Sequence, residues 1–384
     1  MKEADIQIGN EKLSKLMLSL AEPERWERTE RLTASSLTAY QSDQALNRVE
    51  TVIVIGHGTS LATAMNAEFL FSEIAGVASR AIPAYQFHSY VRDYLKRPDQ
   101  TLVVGVSCSG NTESVVKGLK AAKEAGALTM CVSGEGDIKM AAGSDYRIEA
   151  DTGIEQEAGM TAYSASHLFL LYASFQAAVL LGEKRKCPKG RPYWEGQWEN
   201  VKKTMIALPV IFEEMGRLTE RYAQQEMHNI VVLGTGPNLG TAQEGALKIC
   251  EFAWVFGTCE ELEDFAHGRF REVDGKIPLF ILAPHENHRE KVLDLLSGCE
   301  IAQTPAVIFT QKADEPVRQL ADQVVLMPVV EEECLTPFLY VFPLWFFGYH
   351  IRCRQGGLVG ERRFGLKATD INYQAYLARH GNGK

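Results

Sequence analysis

The segment Thr101-Leu-Val-Val-Gly-Val-Ser-Cys-Ser-Gly-Asn-Thr-Glu113 changes character abruptly after residue 106. Its first half is short, continuously apolar and rich in β-branched residues, which is typical of a parallel strand covered on both faces. Gly110 then lets the chain turn before a helix expected over 112–123. Three hydroxyl side chains surround this turn: Ser107, Ser109 and Thr112. The pattern predicts a buried strand that ends in a polar turn.

Such a turn is suited to bind an anion. Asn111 lies close to the expected helix start, where backbone N–H groups have no intrahelical partner. Together with the hydroxyl donors and the positive end of the helix dipole, these groups favour a phosphate dianion without a lysine. An ordinary N-cap is the alternative interpretation, because a single Ser or Thr before a helix usually serves only that purpose.

The whole chain has the composition of a globular protein. Its 384 residues are 46% hydrophobic and 23% charged, enough for two α/β domains with full cores. The net charge of -9 argues against a nucleic-acid or membrane-surface protein, so an anionic ligand must be bound by local groups. Eight cysteines are scattered without CxxC pairs, and the polar start, Met1-Lys-Glu-Ala-Asp5, is unlike a leader. We therefore expect reduced thiols and a cytoplasmic setting.

Strands alternate with helices along the chain, which indicates an α/β fold with doubly wound parallel sheets. After a polar helical lead-in over 1–45, the first domain, 46–190, opens with a buried strand over 51–55. The Gly-rich turn Gly56-His-Gly-Thr-Ser60 then leads into a helix over 61–75. Further strands of this domain are expected at 102–106, 128–132 and 146–150.

The same succession then repeats, so the chain reads as a tandem duplication. Residues 231–242 align with 53–64 at a constant offset, and the later strands stay in step. A linker is expected at 184–200 and the second domain at 200–350. A C-terminal tail, 351–384, follows the second domain.

The two copies differ at the polar turn. Where the first has Ser107-Cys-Ser-Gly110, the second has Pro284-His-Glu-Asn287, which lacks hydroxyls and carries an acidic residue that would repel phosphate. Only the first copy is therefore expected to bind phosphate.

The second copy instead carries ionisable side chains on the helix after its first turn. Glu244, Lys248 and Glu251 are spaced i, i+4 and i+7, so they share one face, where the lysine can keep both carboxylates ionised. A solvated salt-bridge face is the alternative. The apolar neighbours favour a mostly buried helix and make this set a candidate acid/base site. His267 follows an acidic turn, where an exposed loop histidine is the simpler interpretation.

Together these motifs resemble the sugar isomerase, or SIS, domain family. The matching pieces are the Gly-Thr-Ser turn at 58–60, Ser-x-Ser-Gly-x-Thr at 107–112, Glu-Gly-Ala-Leu-Lys at 244–248 and His-Gly at 267–268. Over residues 45–375 the chain is similar to the isomerase half of glucosamine-6-phosphate synthase and to the fructosamine-6-phosphate deglycases. The resemblance implies two tandem, flavodoxin-like SIS domains that bind a phosphorylated sugar.

The resemblance also implies a role for each matching residue. Glu251 would move a proton between C1 and C2 of the sugar, and His267 would assist ring opening in the site of the partner subunit. Glu244 and Lys248 match supporting polar groups. The resemblance implies that the C-terminal tail reaches the active site, where Lys367 occupies the place of a lysine that can form a Schiff base with an open-chain ketose. The sugar phosphate would be bound by the turns of the first copy: Gly58, Thr59, Ser60, Ser107, Cys108 through its backbone, Ser109, Gly110, Asn111 and Thr112.

Two positions depart from both relatives. Phe256 stands where they usually carry His, and Arg269 replaces the usual Pro after His-Gly, so we expect a reshaped sugar pocket. The glutaminase domain of the synthase has no counterpart in the sequence, and Glu361-Arg-Arg-Phe364 resembles the ending of the deglycases. Both observations favour a catabolic reaction.

We therefore expect a fructosamine-6-phosphate deglycase or deaminase that releases an amine and a hexose 6-phosphate. Proton shuttling by a carboxylate needs no metal or redox cofactor. One alternative is an aldose–ketose sugar-phosphate isomerase of the glucosamine-6-phosphate deaminase/isomerase type. The other is a non-catalytic sugar-phosphate sensor, which would be expected to carry a DNA-binding helix-turn-helix and a basic patch.

Two long apolar stretches bear on assembly. Residues 167–182 and 335–353 are interrupted by polar residues or prolines, so both are predicted as buried or interface helices rather than membrane spans. The aromatic residues of the second stretch, together with the role implied for His267, predict a homodimer or an assembly of dimers with a shared active site.

Overall fold

The computed structural model describes residues 3–153, 165–223, 227 and 229–361. Two helices, a first α/β unit and a second α/β unit follow one another along the chain. The helices are α1 (Glu3–Ser19), α2 (Glu24–Thr38), α3 (Thr59–Ala75), α4 (Ala84–Ser89), α5 (Val91–Tyr94), α6 (Glu113–Glu124), α7 (Ala165–Lys184), α8 (Arg191–Thr204), α9 (Leu208–Ala223), α10 (Pro237–Ala253), α11 (Leu262–His267), α12 (Arg289–Ala302), α13 (Glu315–Leu320) and α14 (Pro337–Arg354). The strands are β1 (Thr51–Gly56), β2 (Ala78–Pro83), β3 (Thr101–Ser107), β4 (Leu128–Ser133), β5 (Tyr146–Glu149), β6 (Asn229–Gly234), β7 (Phe256–Glu261), β8 (Leu279–Leu282), β9 (Ala306–Thr310) and β10 (Gln323–Leu326).

The tandem duplication is confirmed. The first sheet has the order β2-β1-β3-β4-β5 and the second, read from its other edge, β7-β6-β8-β9-β10. Every pairing between neighbouring strands is parallel. This is the flavodoxin-like order, in which the polar turns after the first and third strands of each sheet open at the same edge. The continuously apolar strand expected at 102–106 is β3, which is buried along its whole length.

One of the two edge strands of each sheet is absent from the sequence prediction. β2 and β7 are only partly buried, and their side chains are mostly small or polar. An edge strand is covered on fewer sides than a central one, so its sequence lacks the apolar run by which β1 and β3 were recognised.

The two units meet along α3 and α10. Gly240 lies where the backbones approach most closely, since a Cβ atom there would stand 2.7 Å from the carbonyl oxygen of Ala62. α7 and α14 cover these helices, and the N-terminal helices join the same core through Trp26, whose ring packs edge-on against Phe169 at 5.0 Å.

The linker expected at 184–200 is partly helical. Residues 191–204 form the regular helix α8, and Trp194 and Trp198 on it are almost completely buried. Pro192 occupies the first turn of this helix, where a missing N–H costs nothing, so the prolines and glycines of the segment do not mark an extended linker.

The apolar stretch at 335–353 is a core helix. Among the described residues, 333–354 is the one helical segment long and apolar enough to cross a membrane, and 94% of its most apolar part is buried inside the protein. Its large aromatic residues have no exposed surface: Phe338, Tyr340, Phe342, Trp345 and Phe346. Because these side chains are buried in the core of their own chain, they cannot form the dimer contact predicted from the sequence.

Candidate active site

The Gly-rich turn of the first unit joins β1 to α3. Gly58 has φ +55° and ψ -130°, a conformation that favours glycine, and α3 begins immediately after it with Thr59 and Ser60. Both residues are half-buried. The turn therefore presents a helix N-terminus and two hydroxyl groups at the carboxyl end of the first sheet.

The serine loop, 107–112, follows the neighbouring strand β3 and is internally bonded. Ser107 Oγ and Thr112 Oγ1 are 2.9 Å apart, and the backbone N–H of Asn111 donates to Ser109 Oγ at 3.3 Å. Gly110 has φ +63°, and a Cβ atom there would stand 2.7 Å from Ile138. The carbonyl of Cys108 accepts from Gly134 N–H at 3.2 Å, which fixes the base of the loop.

Together these two turns form a candidate anion-binding edge. They follow adjacent strands, so the N-termini of α3 and α6 open at the same side of the sheet. Thr112 is the N-cap of α6, but its side chain makes no capping bond and is turned to Ser107 instead. The first N–H groups of that helix are then available to an anionic ligand.

The three ionisable residues of α10 share one face, as their spacing predicts. Lys248 is almost completely buried, and its Nζ donates to Glu251 Oε2 at 2.6 Å and lies 3.6 Å from Glu244 Oε1. Glu244 has no exposed surface, whereas 41% of the Glu251 side chain is exposed. Glu251 is thus the carboxylate of this set that a ligand can reach.

Burial changes the protonation of Glu244. Loss of hydration raises the pKa of Glu244 to about 7, although the Lys248 ammonium acts in the opposite direction. Of the two carboxyl groups, that of Glu251 lies at the shorter distance from the Lys248 ammonium.

Lys248 also connects the second unit to the first. Its Nζ donates to Thr59 Oγ1 at 3.0 Å, directly at the start of α3. The carboxylate of α10 and the candidate anion-binding edge of the first sheet are therefore connected directly at the junction of the two units, the candidate ligand crevice.

His267 lies apart from this crevice within the chain. It ends α11, 75% of its side chain is exposed, and it pairs with Glu263 at 3.6 Å. Among the described residues it makes no hydrogen bond or ion pair with Glu244, Lys248 or Glu251. Lys367, the other residue expected to act on the sugar, lies outside the described residues.

Phe256 and Arg269 also lie elsewhere than expected. Gly257 and Cys259 are bonded to α10, so the alternation of β7 directs Phe256 to the other face of the sheet. There it lines, with Arg269, a pocket of about 120 Å³. Within one chain these two residues therefore line a pocket that does not include Glu251.

Two features were missed by the sequence reasoning. Trp254, which ends α10, has φ +58° and donates from Nε1 to the carbonyl of Glu361 at 3.0 Å, while the Arg352 guanidinium stacks on its ring at 3.7 Å. The last described residue is thereby held beside the end of the helix that carries Glu251. The second is His167, a polar residue in an apolar helix, which was noted only as an argument against a membrane span.

Comparison with known proteins places this arrangement in a family context. The family model described as the SIS domain matches residues 45–177 and 224–351. Glutamine–fructose-6-phosphate aminotransferase [isomerizing] from Aquifex aeolicus is 27% identical over 329 residues, which are 83% of this chain and 52% of that protein. The chain thus spans about half the length of the curated relatives it matches.

Solved structures share the fold at lower identity. The C-terminal domain of glucosamine-fructose-6-phosphate aminotransferase from Francisella tularensis superposes with a TM-score of 0.75 at 18% identity, covering 90% of this chain and 96% of that one. Glucosamine-6-phosphate deaminase from Thermotoga maritima gives a TM-score of 0.62 at 18% identity, covering 88% and 98%.

Proposed function

Since the chain belongs to the SIS domain family of phosphosugar-binding proteins, we propose that it is an enzyme that cleaves a 6-phosphorylated amino sugar. The products are an amine and a hexose 6-phosphate. The observation that carries the proposal is the position of Lys248, whose ammonium bridges Glu251 and Thr59. A reactive carboxylate and an anion-binding edge then serve one substrate molecule.

The phosphate group binds at the edge formed by the Gly-rich turn and the serine loop. Ser60, Ser109 and Thr112 donate hydrogen bonds through their hydroxyls, and the N-termini of α3 and α6 contribute backbone N–H groups. This arrangement compensates for the net charge of -9, which would otherwise disfavour a dianion.

Glu251 transfers a proton between two neighbouring carbon atoms of the open-chain sugar. In a 1-amino-1-deoxy-ketose the carboxylate removes a proton from C1, which gives an enaminol, and returns it to C2, which gives an aldimine. Water then adds to C1 and the C–N bond breaks, releasing the amine and the aldose 6-phosphate. Lys248 orients the Glu251 carboxylate before the first transfer, through the hydrogen bond from its Nζ.

His267 is proposed to act in the site of a second copy of the chain, where it assists ring opening. Its exposed side chain, paired only with Glu263 in the described part of the chain, supports a role outside its own crevice. A homodimer follows from this proposal. Sedimentation at micromolar concentration should show a species of about twice 42.7 kDa, and a monomer alone would contradict it.

Lys367 is proposed to orient the substrate or to form a Schiff base with it. The support is the contact of Glu361 with Trp254 at the end of α10, because Lys367 follows Glu361 by six residues in the sequence. Lys367→Met should lower turnover and leave binding of fructose 6-phosphate nearly unchanged.

The experiment that tests the function is incubation with a panel of 6-phosphorylated fructosamines and glucosamine 6-phosphate. Released amine and hexose 6-phosphate are measured separately, with Glu251→Gln as the control for contaminating activity. Stoichiometric release of both products from the wild type alone supports the proposal. Binding of the phosphosugars without turnover of any of them would contradict it and favour a sensor.

Simple aldose–ketose isomerisation is the second candidate. It uses the same proton transfer without cleavage of a C–N bond, and the aminotransferase matched by this chain is named as isomerizing. Interconversion of fructose 6-phosphate and glucose 6-phosphate faster than release of amine from the whole panel would favour this reaction.

A further inference from the structure

His167 is a buried imidazole at the junction of the two units. It has no exposed surface and lies near the start of α7, a helix that is otherwise mainly apolar. Its ring meets Trp345 of α14 edge-on, with 6.2 Å between the centroids. Nothing in the proposed reaction uses this side chain, and its position against both units fixes the orientation of the ring.

The hydrogen bonds of His167 lead to the start of α3. His167 Nδ1 is 2.9 Å from Thr63 Oγ1, and Thr63 Oγ1 donates to the carbonyl of Thr59 at 3.0 Å. Because the single hydroxyl proton of Thr63 is used in that bond, the imidazole carries its proton on Nδ1 and donates it to Thr63. Burial lowers the pKa of His167 to about 3, so the ring is neutral near pH 7.

Thr59 also forms a hydrogen bond with Lys248. Thr59 Oγ1 accepts from Lys248 Nζ at 3.0 Å, and the same Nζ donates to Glu251 at 2.6 Å. His167, Thr63, Thr59 and Lys248 thus form a polar chain that reaches the proposed base. Within Thr59 the connection is covalent, from the backbone carbonyl that accepts from Thr63 to the side-chain hydroxyl that accepts from Lys248. The chain crosses from α7 through α3 to α10.

We propose that His167 is a positioning residue for the proton transfer: by holding Thr63 and Thr59, it sets the place of Lys248 and thereby of Glu251. The inference rests on the function proposed above for Glu251. It adds a residue of the first unit, outside the anion-binding edge, to the determinants of turnover.

The geometry favours positioning over an ordinary core histidine. His167 Nε2 is buried and has no hydrogen-bond partner among the described residues. An apolar side chain would avoid this unsatisfied atom, so the imidazole is retained at a cost. In return, the imidazole forms the hydrogen bond from Nδ1 to Thr63.

Three substitutions separate the Nδ1 bond from the rest of the ring. The amide of His167→Asn can donate from nearly the position of Nδ1, whereas His167→Gln places its amide near Nε2 and His167→Leu has no donor. We expect Leu and Gln to lower kcat by roughly 10- to 100-fold, as small misplacements of a catalytic group do, with KM changed less than about threefold. The kcat of His167→Asn should stay within about threefold of the wild-type value.

Ser174→Ala is the matched control. Ser174 is buried on the same helix, but its hydroxyl donates only to Leu170 within the helix. Its kcat and KM should equal those of the wild type. Equal kcat for His167→Asn and His167→Gln, or a full kcat for His167→Leu, would overturn the proposal; the Asn and Gln pair decides if the Leu variant does not fold.

A second readout is independent of the reaction. Deuterium exchange of the backbone in peptides covering 59–66 should be faster in the Leu and Gln variants and unchanged in Asn and in Ser174→Ala. This pattern without turnover of any sugar by the wild type would mean that the polar chain exists and the assigned reaction is wrong. Normal turnover with neither kcat nor exchange altered would mean that His167 does not position Glu251.

Discussion

The contact between α3 and α10 has two halves that correspond to each other through the duplication. In one half, Asn66 Nδ2 donates to the carbonyl of Pro237 at 2.6 Å and to Thr241 Oγ1 at 3.1 Å. In the other, Glu244 takes the place of Asn66 and Thr59 that of Pro237, and the bond to the helix start comes from Lys248. The half that contains Asn66 is uncharged, and the side-chain amide makes its hydrogen bonds between the helices. The half that contains Glu244 and Lys248 is charged.

The polar turn of the second unit also differs from the serine loop of the first unit. The turn of the second unit, 284–287, is occupied by ion pairs, since Lys312 holds Glu286 at 2.5 Å and the Arg289 Nε donates to Asp314 at 2.8 Å. The cavity beside it encloses only about 30 Å³, room for little more than a water molecule. The proposed active site therefore combines the candidate anion-binding edge of the first unit with helix α10 of the second unit, and we propose that the reverse combination serves packing.

The largest effect should come from the carboxylates at corresponding positions of the two helices. Glu251→Gln keeps the shape and removes the proposed base, so turnover should fall roughly 10²- to 10⁴-fold. Glu73→Gln is the matched control, because residue 73 has the same place in α3 as residue 251 in α10. Steady-state kinetics with the best fructosamine 6-phosphate measure the turnover of both variants. If Glu73→Gln loses as much turnover as Glu251→Gln, the two helices do not differ in function.

A charged side chain at position 66, in the uncharged half of the contact, should destabilise the protein. Asn66→Asp replaces a donor by a carboxylate that faces the carbonyl of Pro237, so the free energy of unfolding should fall by about 3 kcal/mol. Urea denaturation at pH 7 measures it. Asn66→Ala, which removes the donor without adding a charge, should cost less. If Asp is tolerated better than Ala, the two halves are interchangeable and the comparison fails.

The sequence predicted the fold well where local patterns determine it. β1, β3 and β4 are continuous apolar runs, and the repeat supplied their counterparts in the second unit. The edge strands β2 and β7 were missed because half-exposed strands carry no such run. The helical face of Glu244, Lys248 and Glu251 was also predictable, since helix periodicity alone places these residues together.

The assembly of the crevice was not predictable from one sequence. The bond from Lys248 to Thr59 joins residues of different units, and no spacing along the chain encodes it. The aromatic residues of α14 illustrate the same limit, because an apolar helix in the core and one at an interface have the same composition. Only the packing of the helix distinguishes the two cases.

Phosphate binding should depend on one turn only. Ser109→Ala and Thr112→Ala each remove a hydrogen bond to a charged group, worth about 1.5 to 3 kcal/mol, or roughly a 10- to 150-fold higher Kd for fructose 6-phosphate. Glu286→Ala in the turn of the second unit is the control, with an unchanged Kd expected. Titration calorimetry measures all three. Unchanged affinity in both first-unit variants would remove the phosphate site from this loop.

The smallest effect is the dependence of stability on pH that distinguishes Glu244 from Asn66. The pKa of Glu244 is about 7 in the folded chain against an ordinary value of 4.5, so between these limits the folded state binds a proton that the unfolded state has lost. Its contribution to stability is therefore largest below pH 4.5 and declines as the pH rises to about 7. An amide at this position has no such dependence.

Glu244→Gln should isolate this contribution. The difference in unfolding free energy, wild type minus Glu244→Gln, should decrease by about 2 kcal/mol between pH 5 and pH 8, because each unit of pKa shift corresponds to 1.36 kcal/mol. Urea denaturation at several pH values measures it. Glu113→Gln is the control: Lys117 lowers the pKa of the exposed Glu113, which is then ionised in both states over this range, so its curve should run parallel to that of the wild type. A parallel curve for Glu244→Gln as well would mean that Glu244 stays ionised beside Lys248, and the charged half of the contact would then hold three charges at neutral pH instead of two.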